Sequence, residues 1–499
     1  EDPNDSTEEF CMTILALKFC AFNNGVSKLH GAVSRKMWKE VFYGIPENEI
    51  PIGHVTNGVH AKSWIYPDLF NELKKTAETV NELSDFDIWQ QVDNISDDCL
   101  WAIHKKKRGE LILYLRDRVY KQRERRNESE GELAATRTMF NPDALTIGFA
   151  RRFATYKRGY LLLYDTERLE KILCNADRPV QIILAGKAHP ADQAGKDIIK
   201  VIYDLSCDST FSNHIIFLED YDIDLARKLV QGVDIWLNNP RRPLEASGTS
   251  GMKAALNGGI NFSVLDGWWD EASTKDVGWN IGMGEEYKDA ELQDRLESEL
   301  FYAALERDIV PMFYDRDEND LPLAWVEKMK NSIRELGTGF NSHRMLSDYV
   351  SQCYQPAMQM KASLSADDFK AAKELASWRD QIRKHWDALS IERIEAPEND
   401  FVYKGSSMEI KAWLKLGKIQ PENIIVECYH GNSDRQFEIQ NANRQSMEFV
   451  ETEGNLSLFR TDLHCVMGGQ YGFTVRVLPG HEHLTHEFLP GYIKWADFE

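Results

Sequence analysis

Between Asp143 and Leu265 short apolar runs alternate with amphipathic segments. LTIGFA (145–150), VQIILA (180–185), HIIFL (214–218), VDIWL (233–237) and INFSVL (260–265) are each five or six residues long, a length that suits buried strands and is too short for helices. The intervening LLLYDTERLEKIL and GKDIIKVIYDL carry apolar residues at helical spacing. This alternation predicts repeated βαβ units, and hence a doubly wound α/β domain whose parallel sheet is covered on both faces. Ligands of such sheets bind beyond the carboxyl ends of the strands, so the loops after these runs are where chemistry is to be sought.

Elsewhere the pattern changes. Residues 96–130 and 365–390 are charged segments of helical period; in the second, Phe369, Ala372, Leu375 and Trp378 recur every three residues and are expected on one packed face. After Pro397 the period becomes two. SMEIKAWLKL places Met408, Ile410, Ala412, Leu414 and Leu416 on one side, and YGFTVRVLPG does the same with Phe473, Val475 and Val477. With Gly431-Asn432 and Gly468-Gly469 as turn signals, the last hundred or so residues are expected to form an antiparallel β-sandwich. Trp413 and Tyr429 in it suit core packing better than sugar binding.

A chain of 499 residues is long enough for two or three cores. Its 42% hydrophobic and 28% charged residues are ordinary for a soluble globular protein. The net charge of −21 repels a phosphate backbone, which argues against nucleic acid as a partner. Eight cysteines stand singly, without a CxxC pair, which points to reduced thiols, no metal site and a cytoplasmic location. No run reaches the length of a membrane span, and the first residues, EDPNDSTEEF, are acidic where an export signal would be basic and then apolar. A start without methionine, inside an acidic loop-like stretch, is expected of a piece of a longer polypeptide.

The stretch EASGTSGMKAALN (245–257) is the chemically informative one. Thr249, Ser250 and Gly251 lie in a run of small residues just before a helical pattern, where backbone N–H groups are accessible to a phosphate. Lys253 follows by two residues. Beside a phosphate a lysine acts as a point charge or forms a Schiff base with an aldehyde; pyridoxal phosphate offers both groups, a nucleotide only the phosphate. Small residues before a helix are by themselves often only a turn, and it is the lysine that favours the phosphate reading; the plain alternative for Lys253, a solvated helix-surface lysine, fits poorly with its tiny and apolar neighbours. A second cluster, ARRFATYKRG (150–159), gathers Arg151, Arg152, Lys157 and Arg158 at the end of a strand in an acidic chain, well placed to hold a dianion. Glu245, eight residues before Lys253, is suited to accept hydrogen bonds from sugar hydroxyls.

These residues resemble the α-glucan phosphorylases, the family of glycogen, starch and maltodextrin phosphorylase. The family's cofactor-lysine signature, E-A-S-G-x-[GS]-x-M-K-x-x-[LM]-N, is met at every fixed position by EASGTSGMKAALN. The similarity continues through NNGVSKLHG (23–31), HVTNGVHAKSW (54–64), RRFATYKR (151–158), GKAHP (186–190), FLEDYDIDLA (217–226) and LDG (265–267). RRFATYKR departs from the usual basic-R-I-H-E-Y-K-R, and the tail sandwich is foreign to the glycogen phosphorylase pattern, which together suggest a divergent bacterial-type branch.

The resemblance implies two Rossmann-like domains facing each other: residues 1–55 as the end of the first, 56–395 as the second, carrying pyridoxal 5'-phosphate, and 396–499 as the added sandwich. It implies that Lys253 carries the cofactor and that Thr249, Ser250 and Gly251 hold its phosphate, with Arg151 and Lys157 beside them. Arg152 and Lys157 would bind the substrate phosphate, and Asn57, Glu245, Ser247 and Gly248 the terminal glucosyl unit. The reaction implied is phosphorolysis of a terminal α-1,4-linked glucose by orthophosphate, giving glucose 1-phosphate with retention. A histidine that the family sets against the same sugar from its first domain has no counterpart here. The resemblance therefore also implies a missing amino-terminal portion, and a chain that holds half of a site. Homo-oligomers are common in the family.

Two other readings exist. Nucleotide-sugar glucan synthases share the two-domain fold but carry a second glutamate eight residues after the first, for the ribose; Lys253 stands there instead. A non-catalytic glucan-binding subunit is the reading that an incomplete first domain favours.

Overall fold

A computed structural model describes residues 10–76, 87–397, 403–435, 439–465 and 468–496. Most of the acidic opening EDPNDSTEEF lies outside them. Contacts divide the chain into two units, one of Asn24–Val33 and His54–Tyr349, the other of Glu1–Asn23, Ser34–Gly53 and Val350–Glu499. No helix among the described residues is long and apolar enough to cross a membrane.

The first unit is built on six parallel strands: β1 (Leu145–Ala150), β2 (Val180–Ala185), β3 (Ile215–Leu218), β4 (Ile235–Asn238), β5 (Ile260–Val264) and β6 (Gly278–Ile281). Five of them are the apolar runs of the sequence. The sixth is short and half-exposed, with Asn280 in it, and gives no apolar run. The order is β3-β2-β1-β4-β5-β6, so successive crossovers run one way from β1 and then the other. The direction of winding thus reverses between β1 and β4, the place where sheets of this topology bind their ligands. The register of these two strands is set at Ile147↔Ile235 and Gly148↔Trp236. Gly148 is needed there, because a Cβ would lie 2.9 Å from a Val233 methyl.

Alternate strand residues bury on opposite faces. Ile147, Phe149, Ile182 and Leu184 pack with Leu169 and Ile172 of α2 (Thr166–Leu173) and Ile202 of α3 (Gln193–Cys207). Ala150, Ile183, Ile216 and Trp236 pack instead with Leu111 and Leu115 of α1 (Asp97–Arg125) and with Leu225 and Leu229 of α4 (Ile223–Gly232). Aspartates start three of these helices: Asp165, Asp192 and Asp222 each accept from a backbone N–H three residues on, at 3.0, 2.9 and 2.8 Å. The charged helix α1 is more than a packing element, because His104 and Arg108 enter the core and meet Asp234 at 2.9 and 2.5 Å. Burial would raise the Asp234 pKa, but Arg108, His104 and the Thr146 N–H hold it below the usual carboxylate value.

The second unit holds two four-stranded antiparallel sheets. Its strands are β7 (Ser390–Glu395), β8 (Ser407–Lys415), β9 (Ile424–Ser433), β10 (Ile439–Ser446), β11 (Glu448–Glu453), β12 (Leu456–His464), β13 (Tyr471–Pro479) and β14 (Lys494–Trp495). They are ordered β11-β12-β8-β7 and β10-β9-β13-β14. Ile410, Ala412, Leu414, Val475 and Val477 fill the shared core, as their alternation predicts. Trp413 and Tyr429 are both buried, Tyr429 edge-on to Trp495 at 5.1 Å between ring centroids.

Two expectations fail in this unit. Gly431-Asn432 is no turn: it lies inside β9, opposite Gly472 and Tyr471 of β13, where two facing glycines leave the ladder unobstructed. The helical pattern over 365–390 is interrupted as well. Helix α5 spans Gln355–His385, but Asp367, Asp368 and Phe369 have positive φ, a conformation the two aspartates tolerate better than most residues. Phe369 is consequently exposed, while Trp378 and Ile382 of the helix pack into the sandwich core.

A buried ionic cluster also marks this unit. Arg476, fully buried, donates to Glu427 at 2.8 Å and to Glu49, with its guanidinium 4.9 Å from the Tyr429 ring centroid and 5.3 Å from that of Trp495.

Candidate active site

The site lies in the first unit, in the loops after β1, β4 and β5. Beyond β1 the chain turns through the basic run, and its four cations do different things. Arg151 is buried and donates to Asn238, at the end of β4, and to the Glu245 carboxylate. Lys157 approaches the other Glu245 oxygen at 3.4 Å. Burial lowers the Lys157 pKa, and Arg151 lowers it further against the pull of Glu245. Arg152 is exposed, with no ion pair among the described residues, close enough to depress Lys157 through its charge.

Arg158 is not part of this group. It adopts a left-handed conformation with φ of 46° and turns inward, fully buried, to Asp294 at 3.0 Å and to Glu297. The sequence reading of four cations around one dianion is corrected for Arg158, which two core carboxylates neutralise.

After β4 the chain runs through Glu245, Ser247, Gly248, Thr249, Ser250 and Gly251 to Lys253. Glu245 and Ser247 are buried, and the Ser247 hydroxyl has no partner among the described residues. Gly248 has a φ of +79°, open to glycine without strain. A short helix, Ser250–Ala255, follows, and the indole N–H of Trp236 donates to the Ser250 hydroxyl at 3.1 Å. That bond occupies an oxygen lone pair and leaves the hydroxyl proton free for an acceptor. Gly251 admits no side chain, since a Cβ would sit 2.2 Å from the Asn261 amide oxygen.

Lys253 is half-buried, and its amine lies 3.8 Å from the centroid of the Trp64 ring. It meets no carboxylate among the described residues, and burial alone lowers its pKa. Such an amine loses its proton more readily than a surface lysine and is free to act as a nucleophile.

Asn57 belongs to the loop Val55–Val59, which is fixed from several sides. Its N–H reaches the Val26 carbonyl at 3.0 Å, Arg344 donates to the Thr56 and Asn57 carbonyls at 2.7 and 3.0 Å, and the Thr56 hydroxyl donates to Glu271 at 2.8 Å. Segment 24–31 joins the same group: the Ser27 hydroxyl donates to the Ala246 carbonyl at 2.8 Å.

Sequence reasoning passed over Asp266. This residue of the LDG segment is buried after β5 and accepts from the Glu245 N–H at 2.9 Å and the Gly267 N–H at 2.8 Å. Its pKa is pushed up to about 7, by burial first and by Glu245, against its two N–H bonds and Arg242. Asn238, Trp64 and Glu271 were passed over too. Only Asp266, a polar residue directly after an apolar run, left a signal of its own.

With this geometry in view, the comparisons with known proteins are decisive on family. Residues 3–281 match the family model described as Carbohydrate phosphorylase, and residues 386–497 match that of the Glycogen phosphorylase C-terminal domain; the chain belongs to the carbohydrate phosphorylase family. The second match corrects the expectation that the tail sandwich is foreign to glycogen phosphorylases. Maltodextrin phosphorylase of Thermococcus litoralis is 38% identical over 501 residues, covering 98% of this chain and 58% of the relative. Glycogen phosphorylase of Mycobacterium bovis is 38% identical over 485 residues, covering 96% and 56%. Glycogen phosphorylase of Aquifex aeolicus is 42% identical over 360 residues, covering 72% and 51%. The chain thus spans a little more than half the length of these relatives.

Proposed function

We propose that this chain carries the cofactor-bearing part of an α-glucan phosphorylase, which releases the terminal α-1,4-linked glucose of glycogen, starch or maltodextrin as glucose 1-phosphate, with retention. The observation that carries the reading is Lys253: a half-buried amine without a carboxylate partner among the described residues, stacked over Trp64 and two residues beyond a loop of small residues. Its surroundings fit pyridoxal phosphate. The free amine suits the aldehyde, and the Ser250 hydroxyl, whose proton is left over by Trp236, suits a phosphate oxygen together with Thr249 and Gly251.

When bound, the cofactor supplies a phosphate group that exchanges a proton with the substrate phosphate. The chain's own residues do the rest. Arg152 and Lys157 hold the substrate phosphate and offset the repulsion between two anions. Glu245, Ser247, Gly248 and Asn57 bind the terminal glucosyl unit, with Ser247 bringing a hydroxyl that lacks a partner among the described residues. Arg151 contributes charge toward the cofactor phosphate and orients Glu245. Lysine at position 253 counts against the nucleotide-sugar synthase, which needs a carboxylate there for ribose.

The two-domain arrangement is part of this proposal: residues 1–55 as the tail of a first Rossmann-like domain, 56–395 as the cofactor-binding domain with its packing helices, and 396–499 as the sandwich, to which the last strand before that boundary, Ser390–Glu395, is also paired. So are a cytoplasmic location, homo-oligomers and a partnering amino-terminal portion, equivalent to the length by which the relatives exceed this chain.

The test is borohydride reduction of the protein incubated with pyridoxal phosphate, followed by digestion and mass spectrometry. A pyridoxyl adduct on the Lys253 peptide is expected; its absence from folded protein overturns the reading. Phosphate release from glucose 1-phosphate with a maltodextrin primer then decides whether this chain turns over alone or only binds.

A further inference from the structure

The loop that presents Glu245 is held from one side by residues immediately after β5. Asp266 accepts from the Glu245 N–H with one oxygen and from the Gly267 N–H with the other. Trp268 N–H reaches the Ser247 carbonyl at 2.9 Å. Gly267 has a φ of +56°, and a Cβ on it would lie 2.4 Å from that same carbonyl. The two backbones are therefore in direct contact, and the carboxylate of Asp266 is the one side chain of the 265–268 segment that ties them.

We propose that Asp266 is the positioning residue of the Glu245–Gly248 loop, and that its charge state sets how firmly Glu245 is presented to a sugar. The sugar part rests on the reading of Glu245 as a glucosyl contact. A carboxylate accepts with both oxygens, whereas the protonated acid keeps one good acceptor and has one oxygen weakened by its own proton. The N–H bond at the protonated oxygen therefore slackens while the carboxyl group stays buried, and where that oxygen is the one accepting from Glu245 the Glu245 backbone is released from its anchor; full unfolding, which exposes the carboxyl, responds to pH in the opposite sense. Charged and titratable groups face Asp266 from several elements. Glu245 disfavours its ionisation and Arg242 favours it, Asp270 pairs with Arg242, and Tyr156 also senses the charge of Asp266. Arg151 and Lys157 face the far side of Glu245. With half-ionisation at about pH 7, the ionised fraction climbs from about one tenth at pH 6 to about nine tenths at pH 8.

The experiment is amide hydrogen exchange, read by mass spectrometry on the full chain between about pH 6 and pH 8 and corrected for the intrinsic pH dependence of exchange. Peptides covering Glu245 and Gly267 are compared with a peptide from β1 as internal reference. Protection of the loop amides is expected to rise with pH, by up to about ninefold, the ratio of the ionised fractions, while β1 stays level. Asp266→Asn, which keeps one acceptor oxygen, is expected to abolish the step and leave the loop weakly protected at both pH values. Flat protection in the wild-type chain, or an undiminished step in Asp266→Asn, overturns the proposal; should the variant not fold, the wild-type step against β1 decides alone. Borohydride trapping at Lys253 is run on the same samples. A pH step without trapping upholds the positioning role while the phosphorylase reading falls, and trapping without a step does the reverse.

Discussion

Replacing Glu245 by glutamine tests how the site balances charge. The wild-type carboxylate is buried between two cations, the buried Arg151 and the partly buried Lys157 at 3.4 Å. Glutamine keeps the shape and one acceptor oxygen but leaves the guanidinium with the neutral Asn238 as its remaining side-chain partner. Removing one partner of a buried pair costs about 3–5 kcal/mol; the surviving hydrogen bond and the lysine's ability to shed its proton put this case near ~3 kcal/mol. At roughly 2–4 °C per kcal/mol for a large domain, the first unit should melt about 6–12 °C lower. The deficit should shrink when inorganic phosphate or sulfate is added, because an anion bound beside Arg151 and Lys157 can replace the negative charge that Glu245 no longer supplies. Differential scanning fluorimetry of both proteins, with and without phosphate at fixed ionic strength, reads both effects. A variant as stable as the wild type, or one with no greater response to phosphate, would refute the claim that Glu245 is the counter-ion of the basic loop.

Three other outcomes are expected. Lys253→Arg should abolish the pyridoxyl adduct yet leave the melting temperature within about 2 °C, since the amine pairs with no carboxylate among the described residues; a large destabilisation, seen by the same fluorimetry, would contradict that. Ser250→Ala should cost about 1–3 kcal/mol by stranding the buried Trp236 N–H and weaken pyridoxal phosphate retention in equilibrium dialysis; unchanged retention would remove Ser250 from the cofactor site. The raised pKa of Asp266 also makes a statement about stability. Because the folded value, about 7, exceeds the ordinary 3.8, the native state holds this proton more tightly; the stabilisation is complete below about pH 4 and is lost as pH rises through about 7. The ceiling is about 4 kcal/mol, from about three units at ~1.36 kcal/mol each. Asp266→Asn should therefore flatten the urea-midpoint profile between about pH 4 and pH 7, and an unchanged slope would show that another group sets it.

Much of the sheet was legible because burial on both faces turns a strand into an uninterrupted apolar run, as in LTIGFA and VQIILA. The strand Gly278–Ile281 was not, since an edge position needs only Gly278 and Ile281 buried. The break in α5 escaped a periodicity argument because SADDF keeps a helical spacing while its two aspartates accept left-handed backbone. At the candidate site, Lys253 and Glu245 were legible through local context, a cation and an anion flanking a run of small residues. Asp266 and Arg158 were not, because their roles depend on partners 21 and 136 residues away. Nothing within a short window tells an arginine that faces a ligand from one that satisfies two core carboxylates.

The split of the basic run has a consequence for reading variants. Arg152 is exposed, with no ion pair among the described residues, whereas Arg158, six positions on, is enclosed by Asp294 and Glu297. A survey of substitutions scored by protein abundance should find position 158 intolerant and position 152 nearly silent. Scored by turnover among equally abundant variants, the ranking should invert, with position 152 the sensitive one. Two arginines in one loop would thus sort a collection of natural variants into those that deplete the protein and those that leave it intact and idle.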